Sequence, residues 1–312
     1  MNIAIIGTGV YGIAMATALA QNKNNSIKMW SESDDSLNRI ENSRKCFKDL
    51  GGIALPEKIT FSTSYEEVMK DADLVFIMVA AKYVSSVCEN MKKYITKNMH
   101  FVIGSKGIEQ KTCLFIDEIF QKNIRTNKLG VISGPSFAID IGFLEPIGLS
   151  LATKNKSTLK LVHEAYEHTN IKLRDTTDIV GIEICGSIKN VIAIAAGILD
   201  GLGYKESTRS FLITESLHDI KELINKQVND CSEYSTCEKS RNYTYGVLLG
   251  KNDMKEALNY INETTVEGYY TLNSIYSLLH KKKVKMPVID IIYDIVINGN
   301  DPKILVDFLM KK

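Results

Sequence analysis

The string G-T-G-V-Y-G at residues 7–12 follows an aliphatic run at 3–6 and opens an apolar helical pattern at 13–20. Strand, glycine turn and helix in that order admit few folds. Gly7 permits the tight turn, Gly9 lets backbone approach a pyrophosphate, and Gly12 lets helix and strand pack closely. The helix N-terminus adds unsatisfied N–H groups and the positive end of a dipole. Three spaced glycines alone are weak evidence, but this context predicts a dinucleotide site.

The pattern then repeats. Strand-like runs at 27–30, 59–62, 74–79, 101–104, 131–133 and 148–152 alternate with helical segments near 11–22, 33–43, 83–93, 112–122 and 157–168. Several runs are uninterrupted aliphatics, as strands covered on both faces require. This predicts an α/β chain with a doubly wound, Rossmann-type parallel sheet. Past Thr177 the alternation fades into helix-length segments at 180–199, 210–226, 254–260, 271–281 and 287–297. The expected division is a dinucleotide-binding domain at 1–177 and an all-helical, substrate-binding domain at 178–312.

Charge and composition remove other classes. Lys and Arg total 38 against 37 Asp and Glu, a net charge of +1. No global field therefore draws the chain to nucleic acid or to an anionic membrane. The longest apolar run, at 191–199, falls far short of the ~20 residues that span a bilayer, so no membrane insertion is expected. The N-terminus lacks a basic region and a small-residue cleavage site, and reads as a strand rather than a signal peptide. Six cysteines, at 46, 88, 113, 185, 231 and 237, form no CxxC pair. They read as free thiols in a reducing cytoplasm, with no metal site.

Three sets of charged residues stand out. The second strand ends at Trp30 and is followed by Glu32, Asp34 and Asp35, with no arginine before Leu37. A carboxylate there accepts from ribose hydroxyls and repels a 2′-phosphate, which favours NAD over NADP; the same residues could equally cap the next helix. Lys106, in G-S-K-G directly after a strand, sits where strand ends face a ligand crevice. Lys189 lies in a segment otherwise apolar on every helical face, which predicts burial. A buried ammonium is costly and its pKa moves readily, which suits a general acid or base; a structural pair with Glu183 is the alternative. Asn190 beside it can orient a substrate oxygen. None of the five histidines sits in a glycine-flanked or strand-end context resembling a His–Asp dehydrogenase relay.

Several strings together resemble bacterial-type NAD(P)-dependent glycerol-3-phosphate dehydrogenase. They are S-K-G at 105–107, S-G-P-S-F-A at 133–138, V-G-I-E-I-C-G-S-I-K-N-V-I-A-I-A-A-G at 180–197, D-G-L-G at 200–203, S-R-N at 240–242, V-E-G at 266–268 and M-P at 286–287. The resemblance runs nearly the whole length. It implies reversible hydride transfer between NAD(H), or NADP(H), and C2 of dihydroxyacetone phosphate, giving sn-glycerol 3-phosphate for glycerophospholipid synthesis and carbohydrate metabolism. By motif, Lys189 falls on the proton-transferring lysine and Lys106 on a residue that contacts cofactor and substrate. Gly134 and Ser136 match substrate-lining positions, and Ala138 a cofactor contact. Ser240, Arg241 and Asn242 match residues that hold the substrate phosphate, with Arg241 also reaching the cofactor. Glu267 matches a cofactor-side carboxylate, and Val10 and Tyr11 lie over the pyrophosphate. The resemblance further implies a cytoplasmic homodimer with no metal.

The chain departs from that pattern at 204–239. The family's Gly-Leu-Gly-Asp-Leu string is missing and the connection to Arg241 is shorter. Asp230 is the one aspartate near enough to stand in for the family's catalytic aspartate. Residues 204–207 read Y-K-E-S where the family has a Gly-x-Asn turn, and Glu215 and Ser216 replace Arg-Gly. These departures motivate an alternative: a catalytically impaired homologue that binds NAD(H) as a sensor or interaction protein.

Overall fold

In the computed structural model, which describes residues 1–110, 112–225 and 240–311, the chain forms two compact units. One comprises Met1–Lys106 and Ile116–Ile179, the other Gly107–Phe115 and Val180–Lys312.

The first unit carries eight strands: β1 (Asn2–Ile6), β2 (Ser26–Trp30), β3 (Ile59–Ser62), β4 (Leu74–Ile77), β5 (His100–Ile103), β6 (Leu129–Ser133), β7 (Ile147–Thr153) and β8 (Ile171–Thr176). Their order is β3-β2-β1-β4-β5-β6-β7-β8. Seven helices connect them: α1 (Val10–Leu19), α2 (Asp34–Ser43), α3 (Tyr65–Met69), α4 (Val84–Met91), α5 (Ile116–Asn123), α6 (Ala138–Gly142) and α7 (Lys156–Tyr166). The strand order reverses between β1 and β4, where Ile6 pairs with both Trp30 and Ile77. Ligands of open α/β sheets bind outside the carboxyl ends of strands at such a switch point, and the residue after Ile6 is Gly7.

Burial explains which strands form. β4, β5 and β6 are buried at every position. β5 starts with a histidine, yet His100 is only 5% exposed. Its Nδ1 lies 2.8 Å from the Thr158 hydroxyl of α7, so burial leaves no unmatched polar group there. Two features differ from the expected parallel sheet. β7 runs antiparallel to β6, and β8 adds a strand parallel to β7. β8 reads I-K-L-R-D-T and is half exposed, because an edge strand needs few apolar residues.

The second unit is helical: α8 (Ile179–Gly201), α9 (Glu206–Asn225), α10 (Arg241–Gly250), α11 (Met254–Glu263), α12 (Glu267–Lys281), α13 (Pro287–Val296) and α14 (Ile304–Met310). Its core is α8, which is long and apolar enough to cross a membrane but lies mostly buried inside the protein. α8 and α10 meet at backbone distance. A methyl added to Gly197 or Gly201 would collide with the carbonyls of Tyr243 or Val247, and one on Gly246 or Gly250 with those of Ile194 or Ile198. Two glycines four residues apart on each helix thus let two main chains touch. α13 begins at Pro287, and the Val288 N–H donates to Asp219 of α9 at 3.1 Å.

Gly107–Phe115 belongs with the helices although it follows β5 in sequence. Ile108 and Phe115 form an antiparallel bridge, and both side chains are buried in the helical core. The thiols also depart in part from expectation. Cys46, Cys88 and Cys113 are free, but Cys185 is disulfide-bonded.

Candidate active site

In the first unit the three motif glycines serve different ends. Gly7 has φ +120°, a conformation that side chains rarely adopt, and a methyl there would lie 2.8 Å from the Met78 carbonyl. A methyl on Gly12 would lie 2.7 Å from the Gly7 carbonyl. Gly9 is different: nothing lies within 4 Å of the position its methyl would take. Protein packing does not require glycine there, but a group lying on the turn would. Gly9 is also the N-cap residue of α1, with no side-chain cap and no acidic residue in the first turn. The opening N–H groups of α1 therefore face an uncapped end. An open cradle and orphan donors fit a pyrophosphate, held by Gly9, Val10 and Tyr11.

The end of β2 supplies the next subsite. Trp30 stacks on Tyr65 with ring centroids 4.3 Å apart and donates to the Thr63 carbonyl at 2.9 Å. Thr8 of the turn donates to the hydroxyl of the buried Ser31 at 2.9 Å. The two readings of the acidic stretch separate here. Ser33 caps α2 by accepting from the Ser36 N–H, and Asp34 accepts from the Thr63 hydroxyl at 3.3 Å. Glu32 stands exposed. Burial, with Cys88 and the Glu32 carboxylate nearby, raises the Tyr65 pKa well above the usual phenol range.

Lys106 follows β5, and its Nζ lies 5.0 Å from the centre of the Tyr11 ring and 3.5 Å from the Gly134 carbonyl. The Tyr11 hydroxyl is 3.1 Å from that of Ser136, which is 8% exposed. Lys106, Gly134 and Ser136, three residues assigned to substrate, are therefore gathered round a residue of the glycine turn. Ala138, assigned to the cofactor, is the first residue of α6.

In the second unit Lys189 departs from its expected burial. From Gly181 to Leu199 every residue of α8 is buried except Lys189, which is partly exposed. The neighbouring Asn190 is buried and donates to a Glu267 carboxylate oxygen at 3.3 Å. Asn242, also buried, accepts the Gly268 N–H at 2.8 Å. Lys189-Asn190, Arg241-Asn242 and Glu267-Gly268 are thereby joined as one cluster on α8, α10 and α12. Arg241 is exposed at the start of α10, whose N-cap residue, Ser240, makes no side-chain cap. An arginine beside uncapped helix amides is suited to an anion.

Sequence reasoning missed Arg209. Its Nη1 donates to Asp200 at 2.9 Å and to the Tyr243 hydroxyl at 2.8 Å, tying α9 to α8 and α10. An arginine within a helix-length segment carries no local signal of that link. Asp230 lies outside the described residues. Among the described residues no group of three or more His, Cys, Asp or Glu could hold a metal ion.

A doubly wound sheet with an open glycine cradle at its switch point, followed by a helical unit, defines a dinucleotide-binding Rossmann-type protein. Two family descriptions match the chain: the NAD-dependent glycerol-3-phosphate dehydrogenase N-terminus over residues 2–159 and the C-terminus over residues 178–307. The chain is 34% identical to glycerol-3-phosphate dehydrogenase [NAD(P)+] of Leptospira biflexa, spanning 100% of this chain and 98% of that one. A Bacillus mycoides relative of the same name is 32% identical over 99% of this chain and 95% of its own. A crystal structure of glycerol-3-phosphate dehydrogenase from Coxiella burnetii superposes with a TM-score of 0.88 at 26% identity, covering 100% and 99% of the two chains. The chain belongs to the NAD-dependent glycerol-3-phosphate dehydrogenase family.

Proposed function

We propose that the chain interconverts dihydroxyacetone phosphate and sn-glycerol 3-phosphate with NAD(H), NADP(H) being the lesser partner. The observation that carries the reading is the second-unit cluster. It joins a lysine, the one unburied residue between Gly181 and Leu199 of a core helix, to an arginine at an uncapped helix start through Asn190, Glu267, Asn242 and Gly268. One cation would exchange a proton and the other would hold a phosphate.

When bound, the nicotinamide supplies a hydride for C2 or accepts one from it. The chain's own residues do the rest. Lys189 donates a proton to the C2 oxygen as its charge develops, and in the oxidative direction the same amine removes that proton. Arg241 and the first amides of α10 hold the phosphate dianion away from the reacting carbon, with the Asn242 amide as a further donor. Lys106 and Ser136 orient the substrate oxygens, and Lys106 opposes negative charge there. Gly9, Val10 and Tyr11 hold the pyrophosphate, Glu32 the adenosine ribose, and Ala138 and Glu267 further parts of the cofactor. Residues 1–177 thus serve the dinucleotide and 178–312 the substrate. The working form is a cytoplasmic homodimer, which light scattering and cell fractionation test.

The experiment is NADH oxidation with dihydroxyacetone phosphate, against Lys189→Ala as control. Turnover in the parent and its loss in the variant support the reading. Folded parent protein no faster than the variant would overturn it.

A further inference from the structure

We propose that Tyr11 is a positioning residue for the substrate as well as a neighbour of the cofactor, presetting Lys106 and Ser136 through two different parts of one side chain. The proposal rests on the reading above in taking Lys106 and Ser136 to face substrate.

Four contacts close a ring. The Tyr11 hydroxyl lies 3.1 Å from the Ser136 hydroxyl. The Ser136 N–H donates to the Gly134 carbonyl at 2.9 Å. The same carbonyl accepts from Lys106 Nζ at 3.5 Å, and that Nζ lies 5.0 Å from the centre of the Tyr11 ring. Three segments distant in sequence, the glycine turn, the end of β5 and the loop after β6, meet on one phenol.

The dinucleotide turn does not itself require this side chain. Its geometry is set by Gly7 and Gly12, whose closest contacts are with main-chain carbonyls, and its opening by Gly9. Lys106, by contrast, needs help. A lysine ammonium ends a flexible four-carbon stem, and a 3.5 Å carbonyl contact is at the long end of a hydrogen bond. An aromatic face under the ammonium narrows its range without neutralising it. At Ser136 the two hydroxyls share one proton between their oxygens. When Tyr11 donates, the serine O–H remains free for a substrate oxygen and is held in place as it donates.

The proposal separates the two halves of the phenol. Tyr11→Phe keeps the face under Lys106 and removes the Ser136 contact, whereas Tyr11→Leu removes both. With the full-length enzyme, Tyr11→Phe is expected to raise KM for dihydroxyacetone phosphate about three- to tenfold, and Tyr11→Leu to lower kcat/KM by about thirtyfold or more. Because the pyrophosphate is held by main-chain amides of the turn, which neither substitution removes, the loss of NADH affinity, from quenching of protein fluorescence, is expected to be clearly smaller than the loss in kcat/KM in both. Partial recovery in the phenylalanine variant relative to the leucine one marks the ring face as the part that holds Lys106. Losses in NADH affinity equal to those in kcat/KM, or no loss in either, would overturn the proposal.

A second readout is independent of turnover. Lys106 should be acetylated faster by a limiting amine reagent in Tyr11→Leu than in the parent, read by mass spectrometry against Lys205 on the exposed surface of the helical unit. Unchanged relative reactivity overturns the positioning claim even in a parent that turns over dihydroxyacetone phosphate. An inactive parent whose Lys106 reactivity still depends on Tyr11 would instead sink the substrate assignment and leave the positioning role standing.

Discussion

Asn242 accepts the backbone N–H of Gly268 at 2.8 Å, so a residue near the start of α10 caps the start of α12. The cap is borrowed because the N-cap residue of α12 is Val266, which has no side-chain acceptor. A residue assigned to the substrate phosphate therefore also holds the helix that begins with Glu267.

That double duty can be divided. Asn242→Ala leaves a buried N–H without its acceptor, at an expected cost of about 1–3 kcal/mol in urea unfolding. Asn242→Asp keeps the acceptor and should retain most of that stability. It loses the amide donor and sets a negative charge beside the phosphate, so KM for dihydroxyacetone phosphate should rise sharply. Equal stability losses in the two variants would count against the borrowed cap.

The contact of α8 with α10 allows a paired stability test. Gly246→Ala drives a methyl into the Ile194 carbonyl, which is main chain and cannot rotate aside. The expected cost is about 3 kcal/mol in chemical denaturation, at the upper end for an added methylene. Gly148→Ala in β7 meets nothing within 4 Å and should stay within about 0.5 kcal/mol of the parent.

Cofactor choice should turn on Glu32. Asp34 is engaged by Thr63 and, with Asp35, lies in the first turn of α2, leaving Glu32 as the carboxylate that precedes the helix and stands exposed after β2. Glu32→Arg replaces repulsion of a 2′-phosphate by attraction, and should raise the NADPH-to-NADH ratio of kcat/KM at least about tenfold. An unchanged ratio would place the discrimination elsewhere.

Acid sensitivity should have a contribution from His100. Burial, reinforced by the charge of Lys128, holds its pKa below the ordinary 6.5 despite opposition from Asp73. The folded protein therefore binds fewer protons than the unfolded chain just below that value. The stability linked to His100 is complete above pH 6.5 and is lost as pH falls through the lower folded-state pKa. His100→Gln can still bond Thr158 but cannot titrate. Its urea midpoint should fall less than the parent's between about pH 7.5 and 5.5.

Much of the first unit could be read from residues because its signals are local. Aliphatic runs become buried parallel strands, and the glycine string follows the first of them. β8 escaped because an edge strand with alternating Lys, Arg and Asp has no apolar run to detect. α10 escaped for another reason: Gly246 and Gly250 weaken helix propensity, and their value lies in α8, some fifty residues earlier. Lys189 was found by the apolar stretch around it, but that stretch could not show that the lysine itself reaches solvent. The ring of contacts round Tyr11 joins side chains from three segments, which no pattern along the chain encodes.

The excursion at Gly107–Phe115 bears on how such a protein could be recombined. A graft that exchanged everything after Thr177 for the corresponding part of a relative would leave Ile108 and Phe115 behind, still shaped for the helices that had been removed. The incoming helices would bring neither residue and would meet two strangers in their core. The inheritable part is therefore not a tail but a tail together with a short internal piece. Chimaeras should travel with both or be expected to fold poorly.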